Sequence, residues 1–81
     1  MDELDELRQA LDRLDTEIMT LLEKRFEISE AVGEIKKTHK IPLTHAKREQ
    51  TILNRATAYK HQKSIESVYL TIFKQSKQKQ K

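Results

Sequence analysis

Arg25 is the residue from which a chemistry can be argued. It sits on an otherwise apolar helical stripe, where a charge costs several kcal/mol unless something pairs with it. It either bridges internally or snorkels to water, or it holds an anion inside a helical bundle. Lys36 follows eleven residues later, about 16 Å along a helix axis and about three full turns on, so the two side chains project nearly the same way. Alone, Lys36 is a solvated lysine; with Arg25 it could grip the opposite end of one small ligand. Arg8 lies about 25 Å from Arg25 along the same helix and projects elsewhere. It is an exposed helix arginine, or it reaches the same ligand from a second, antiparallel copy. Arg48 and Glu49 follow the cap of a later helix, where the helix dipole favours an acid. Ser76 and Gln80 extend an apolar stripe with polar groups, as a solvated end or as a hydrogen-bonding pair facing a buried ligand.

Nothing else in the chain offers covalent chemistry. There is no cysteine, and His39, His45 and His61 lack the i, i+4 spacing of a zinc pair, with no HExxH. No glycine-rich phosphate loop and no nucleophile elbow occurs. The residues imply catalysis or binding by placed charges and hydrogen bonds, with no metal and no cofactor.

Helices must position these groups. Leu4, Leu7, Leu11, Leu14, Ile18, Leu21, Ile28, Val32 and Ile35 recur at steps of three and four, a narrow apolar seam of coiled-coil type. Gly33 interrupts the pattern at about 1 kcal/mol relative to alanine, which suits close approach of a helix or a ligand. The spacing predicts a first helix ending near Lys37 and a loop from Thr38 to Leu43, where Pro42 biases Ile41 to an extended conformation. Thr44 is the expected N-cap of a second helix running through Ile52, Leu53, Ala56 and Tyr59. After a polar stretch, Lys60 to Lys63, Ser64 is the expected cap of a third helix. That helix places Ile65, Tyr69, Ile72, Ser76 and Gln80 on one stripe, and its Lys/Gln-rich end is compositionally biased, which leaves its order open between a helical and a frayed end.

Composition agrees with an all-α single domain over residues 1–81. Helix formers dominate, and glycine and proline occur once each among 81 residues. No apolar run would span a bilayer, no signal peptide is expected at the start, and the lack of cysteine fits a cytoplasmic location. The net charge of +3 conceals a division. Residues 1–34 carry a balance of −7 and residues 35–81 one of +10, so the second half would attract a carboxylate, a phosphate or nucleic acid. A first helix of about 50 Å exceeds the roughly 30 Å width of a compact chain of this size. Its seam needs cover along its length, and a two-fold homodimer with paired long helices supplies it.

The pattern formed by Leu7-Arg8, Leu11-Asp12, Leu14-Asp15, Ile18, Leu21-Leu22, Arg25, Val32-Gly33, Lys36, Pro42 and Lys47-Arg48-Glu49 resembles the all-helical class of chorismate mutases. It weakens through Lys60 to Lys63 and resumes as Tyr69, Ile72, Ser76 and Gln80. The resemblance implies three helices per chain in an intertwined homodimer with two shared sites, and conversion of chorismate to prephenate on the way to phenylalanine and tyrosine. It implies that Arg25, Arg48 and the partner's Arg8 hold the substrate carboxylates. Lys36 and Gln80 would donate to the ether oxygen of the breaking bond, Glu49 would bind the ring hydroxyl, and Ser76 would line a carboxylate pocket.

One departure stands out. Relatives commonly carry aspartate before the KRE, and His45 takes that place, so a side-chain contact to substrate there would be altered. The alternatives are an isochorismate pyruvate-lyase, similar in fold and substrate shape, and a basic helical binding module. The second is disfavoured because the lysines of the tail lack interleaved aromatics and because it leaves Arg25 unexplained; no nucleic-acid or membrane partner is expected.

Overall fold

The computed structural model describes residues 2–81. Three helices are present and, among the described residues, no strand: α1 Glu3–His39, α2 Ala46–Arg55 and α3 Gln62–Gln80, with a 3-10 turn at Ala56–Ala58 between the last two. Ser76 reaches Arg25 and Gln80 reaches Lys36, so α3 runs in the same direction as α1, and α2 returns between them.

Both ends of α1 are chemically specified. The Asp2 carboxylate accepts the Asp5 amide at 2.8 Å, and Glu3, Asp5 and Glu6 meet the positive end of the helix dipole. The helix runs two residues past the expected Lys37. There Lys40 adopts a left-handed conformation, φ 55°, and the Ile41 amide bonds back to the Lys36 carbonyl at 2.9 Å. This is a Schellman closure made without glycine.

The other expected caps are corrected by the structure. His45, not Thr44, caps α2: its Nδ1 accepts the Arg48 amide at 3.1 Å. An unprotonated imidazole nitrogen is an acceptor like a serine oxygen. α3 begins at Gln62, two residues ahead of the expected Ser64 cap, with His61 in the cap position and no side-chain bond there. Gln62 instead donates to Glu66 at 2.9 Å across the first turn. α2 also stops before Tyr59. Thr57 Oγ1 bonds the Asn54 carbonyl at 2.8 Å, the chain tightens into the 3-10 turn, and Tyr59 is extended and exposed.

The core of one chain is thin. Among the described residues, the buried apolar side chains are Ala56 and Phe73. Ala56 is small enough to bring the 3-10 turn close to α3, and Phe73 packs at 5.8 Å from the Tyr69 ring in a tilted arrangement. The molecule measures 56 × 24 × 15 Å with a radius of gyration of 16.0 Å, against about 12 Å for a compact domain of this length. α1 accounts for the excess, since its 37 residues rise about 55 Å. Its seam is open to solvent in the single chain: Leu7 is 63% exposed and Leu14 52%.

Gly33 is buried where α3 ends against α1. A Cβ there would lie 2.5 Å from the Gln80 carbonyl oxygen and 2.6 Å from its Cα. The glycine therefore permits a close helix contact, at the turn that carries Gln80 to Lys36.

Candidate active site

A cleft of about 430 Å³ opens between the second half of α1, the start of α2 and the end of α3. Seven of the eight residues expected from the sequence line it: Arg25, Lys36, His45, Arg48, Glu49, Ser76 and Gln80. Arg8 does not. It is exposed on α1, 17 residues before Arg25 and about 25 Å from it along the axis.

Each side chain arrives by a local cause. Arg25 and Lys36 share a face of α1. The His45 cap sets the first turn of α2, from which Arg48 and Glu49 project. Ser76 and Gln80 lie four residues apart on α3, one above the other. Phe73, Ile28, Val32 and Ile52 supply apolar wall.

The polar contacts leave defined donors unused. Arg25 Nη1 donates to Ser76 Oγ at 2.5 Å. Arginine has no acceptor, so the serine oxygen receives and its own O–H proton is free to point elsewhere. Lys36 Nζ donates to the Leu43 carbonyl at 2.8 Å and to Gln80 Oε1 at 2.7 Å. Two of its three protons are thereby engaged and one remains. Because an ammonium only donates, the Gln80 amide presents oxygen to Lys36 and keeps both N–H donors of Nε2 for another acceptor. Four cations, Arg25, Lys36, Arg48 and Lys77, face one carboxylate, Glu49, so the cleft attracts anions. Among the described residues no three His, Cys, Asp or Glu side chains cluster as metal ligands.

Sequence reasoning missed Lys77, which pairs with Glu49 at 3.0 Å, and the Leu43 carbonyl that steadies Lys36. Lys77 falls inside the compositionally biased tail, where one lysine resembles the next. Its position four residues after Phe73 and three before Gln80 puts it on the same face of α3, which is the available signal. The tail itself is helical to Gln80 rather than frayed.

The chain matches the model of the family chorismate mutase type II over residues 7–81. It is 40% identical over 55 residues to a bifunctional chorismate mutase/prephenate dehydratase of Aquifex aeolicus, in an alignment taking in 68% of this chain and 15% of that protein. It is 52% identical over 31 residues to an intracellular chorismate mutase of Mycobacterium tuberculosis, taking in 38% of this chain and 30% of that one. The chain thus spans only a minor part of the length of these curated relatives. Among solved structures, a conserved hypothetical protein from Pyrococcus furiosus superposes with a TM-score of 0.87 at 34% identity, over 100% of this chain and 99% of the other. An all-helical chain whose family match takes in α1, α2 and α3 belongs to the type II chorismate mutase family.

Proposed function

We propose that this protein is a chorismate mutase acting in the cytoplasm on the route to phenylalanine and tyrosine, and that it works as an intertwined homodimer. The observation that carries the reading is the Lys36–Gln80 pair, which leaves donors of both residues available in a cleft that also holds Arg25 and Arg48.

The chemistry asks for little else. The rearrangement is intramolecular and pericyclic, so no nucleophile, base or cofactor takes part. The site has to select the folded conformer of a flexible dianion and stabilise charge that builds on the ether oxygen. Arg25, Arg48 and the partner's Arg8 hold the two carboxylates, arginine forks fixing their orientation. The Ser76 hydroxyl, its oxygen occupied by Arg25, donates its proton to a carboxylate. The free Lys36 proton and the Gln80 Nε2 donors meet the ether oxygen, where their interaction grows as the bond breaks. Glu49 accepts from the ring hydroxyl. Acceleration by a factor of about a million corresponds to about 8 kcal/mol of differential stabilisation.

Dimerisation supplies what one chain lacks. The exposed α1 seam and an adjoining apolar groove of about 460 Å³, lined by Ile18, Leu22, Val68 and Ile72 among others, need cover. An antiparallel partner helix brings its Arg8 towards this chain's Arg25.

The test is the loss of chorismate absorbance with purified protein. Conversion to prephenate at a rate well above the uncatalysed one supports the reading. A protein that is folded and dimeric yet leaves chorismate unchanged refutes it, and release of salicylate from isochorismate would instead mark a pyruvate-lyase.

A further inference from the structure

A carboxylate is an unexpected lining for a cleft that attracts anions. Glu49 shares its cleft with Arg25, Lys36 and Arg48. Its side chain keeps only 26% of its surface exposed, so water screens it incompletely, and an unpaired charge there would repel an incoming dianion. The structure answers this with Lys77, whose Nζ lies 3.0 Å from Glu49 Oε2. Lys77 is 32% exposed and stands on the same turn of α3 as Ser76 and Gln80. The ion pair joins α2 to α3 within the cleft lining. It engages Oε2, so Oε1 is the oxygen that a second donor would meet.

We infer that Lys77 is a positioning residue that neutralises Glu49 and aims its free oxygen at a ligand hydroxyl, making the cleft selective for a hydroxylated cyclic dicarboxylate over its deoxy counterpart. The inference rests on the chorismate reading of the cleft, in which the ligand carries a ring hydroxyl opposite Glu49. A glutamate side chain held at one oxygen has already lost much of its rotamer freedom, so the hydroxyl contact forms at a smaller entropic cost. A lysine that instead bound a ligand carboxylate directly would act on both ligands alike, and that difference is measurable.

The experiment is titration calorimetry with two bicyclic diacids that mimic folded chorismate and differ only in the ring hydroxyl. The natural protein should bind the hydroxylated diacid about 10- to 100-fold more tightly, the range for a hydrogen bond to a charged group. Lys77→Met should lose most of that preference: the charge left unpaired on Glu49 weakens both diacids, and the hydroxylated one loses about 10-fold more than the deoxy one, while Lys77→Arg should retain the preference. Glu49→Gln should also lose it, and adding Lys77→Met to Glu49→Gln should remove nothing further. Lys77→Gln serves in the same role if Lys77→Met fails to fold. The assignment is overturned by an intact preference without Lys77, by equal weakening of both diacids, or by no preference or no binding in the natural protein. Chorismate turnover is followed separately. Hydroxyl-selective binding that depends on Lys77 without turnover would refute the mutase reading and leave the Lys77 assignment standing.

Discussion

Lys36 dictates which way the Gln80 amide faces. Its ammonium, 2.7 Å from Oε1, can only donate, so the two Nε2 protons are kept for an acceptor other than Lys36. The pair therefore acts as a unit. Lys36→Ala or Gln80→Ala should each lower turnover by about 10²–10³ with a much smaller change in KM, as expected for donors whose interaction strengthens at the transition state. The double variant should fall short of the product of the two losses, because Lys36→Ala already frees the amide to rotate. Steady-state kinetics on the three variants checks this; multiplicative losses would mean that the two side chains act independently.

Gly33 should tie stability to activity. Alanine favours a helix interior by about 1 kcal/mol, but its Cβ would meet the backbone of Gln80 at 2.5–2.8 Å, and backbone cannot give way as a flexible side chain can. The end of α3 would have to shift, straining the Arg25–Ser76 and Lys36–Gln80 contacts. Gly33→Ala is expected to lower the thermal midpoint and to lower turnover towards that of Gln80→Ala. Melting curves read beside kinetics decide it, and full activity in Gly33→Ala would show that the contact is dispensable.

Arg8 and Arg25 should complement across the dimer. In an equal, fully exchanged mixture of Arg8→Ala and Arg25→Ala chains, about half of the dimers are mixed, and each mixed dimer has one site free of both changes. About a quarter of all sites should then work, although each parent is nearly inactive. No recovery after subunit exchange is verified by mass would place both arginines at one chain's site, or remove one from it.

His45 holds the first turn of α2 through its ring. Its Nδ1 accepts the Arg48 amide at 3.1 Å, the role that serine, threonine, aspartate or asparagine usually fills at a helix start. His45→Ala should therefore cost about 1 kcal/mol of stability, whereas His45→Asp, which puts back an acceptor at the positive end of the helix, should not. Chemical denaturation of the two variants tests this, and an unchanged midpoint in His45→Ala would dismiss the imidazole as the cap.

Lys40 offers a stability gain away from the cleft. It is a non-glycine residue at φ 55°, a conformation that costs residues with a Cβ about 1–2 kcal/mol. Glycine removes that strain but is freer in the unfolded chain, so Lys40→Gly should gain about 0.5–1 kcal/mol. A lower midpoint in chemical denaturation would contradict it.

The sequence made α1 legible because Leu4 to Ile35 repeat over nine seam positions and Pro42 marks the loop beyond them. It located α2 and α3 but missed their starts. Thr44 and Ser64 are common cap residues, whereas His45 caps through a ring nitrogen and Gln62 opens a helix through Glu66 with no cap bond at all. The contacts inside the cleft were illegible for another reason. Arg25 and Ser76 are separated by 51 residues, and Lys36 and Gln80 by 44, so no local pattern couples them. Resemblance to a family pointed to residues that line the cleft, but it carried no signal for Lys77, which lies between two matched positions.

The thinness of the core has a consequence for how the chain lives at low abundance. With Ala56 and Phe73 as the buried apolar side chains among the described residues, folding that draws most of its burial from a second copy is a bimolecular event. Its midpoint would then slide with concentration, and each tenfold dilution would take about 1.4 kcal/mol from the assembled state. Expression level would become a determinant of survival in its own right: too few copies per cell would leave chains open to proteolysis before they meet a mate.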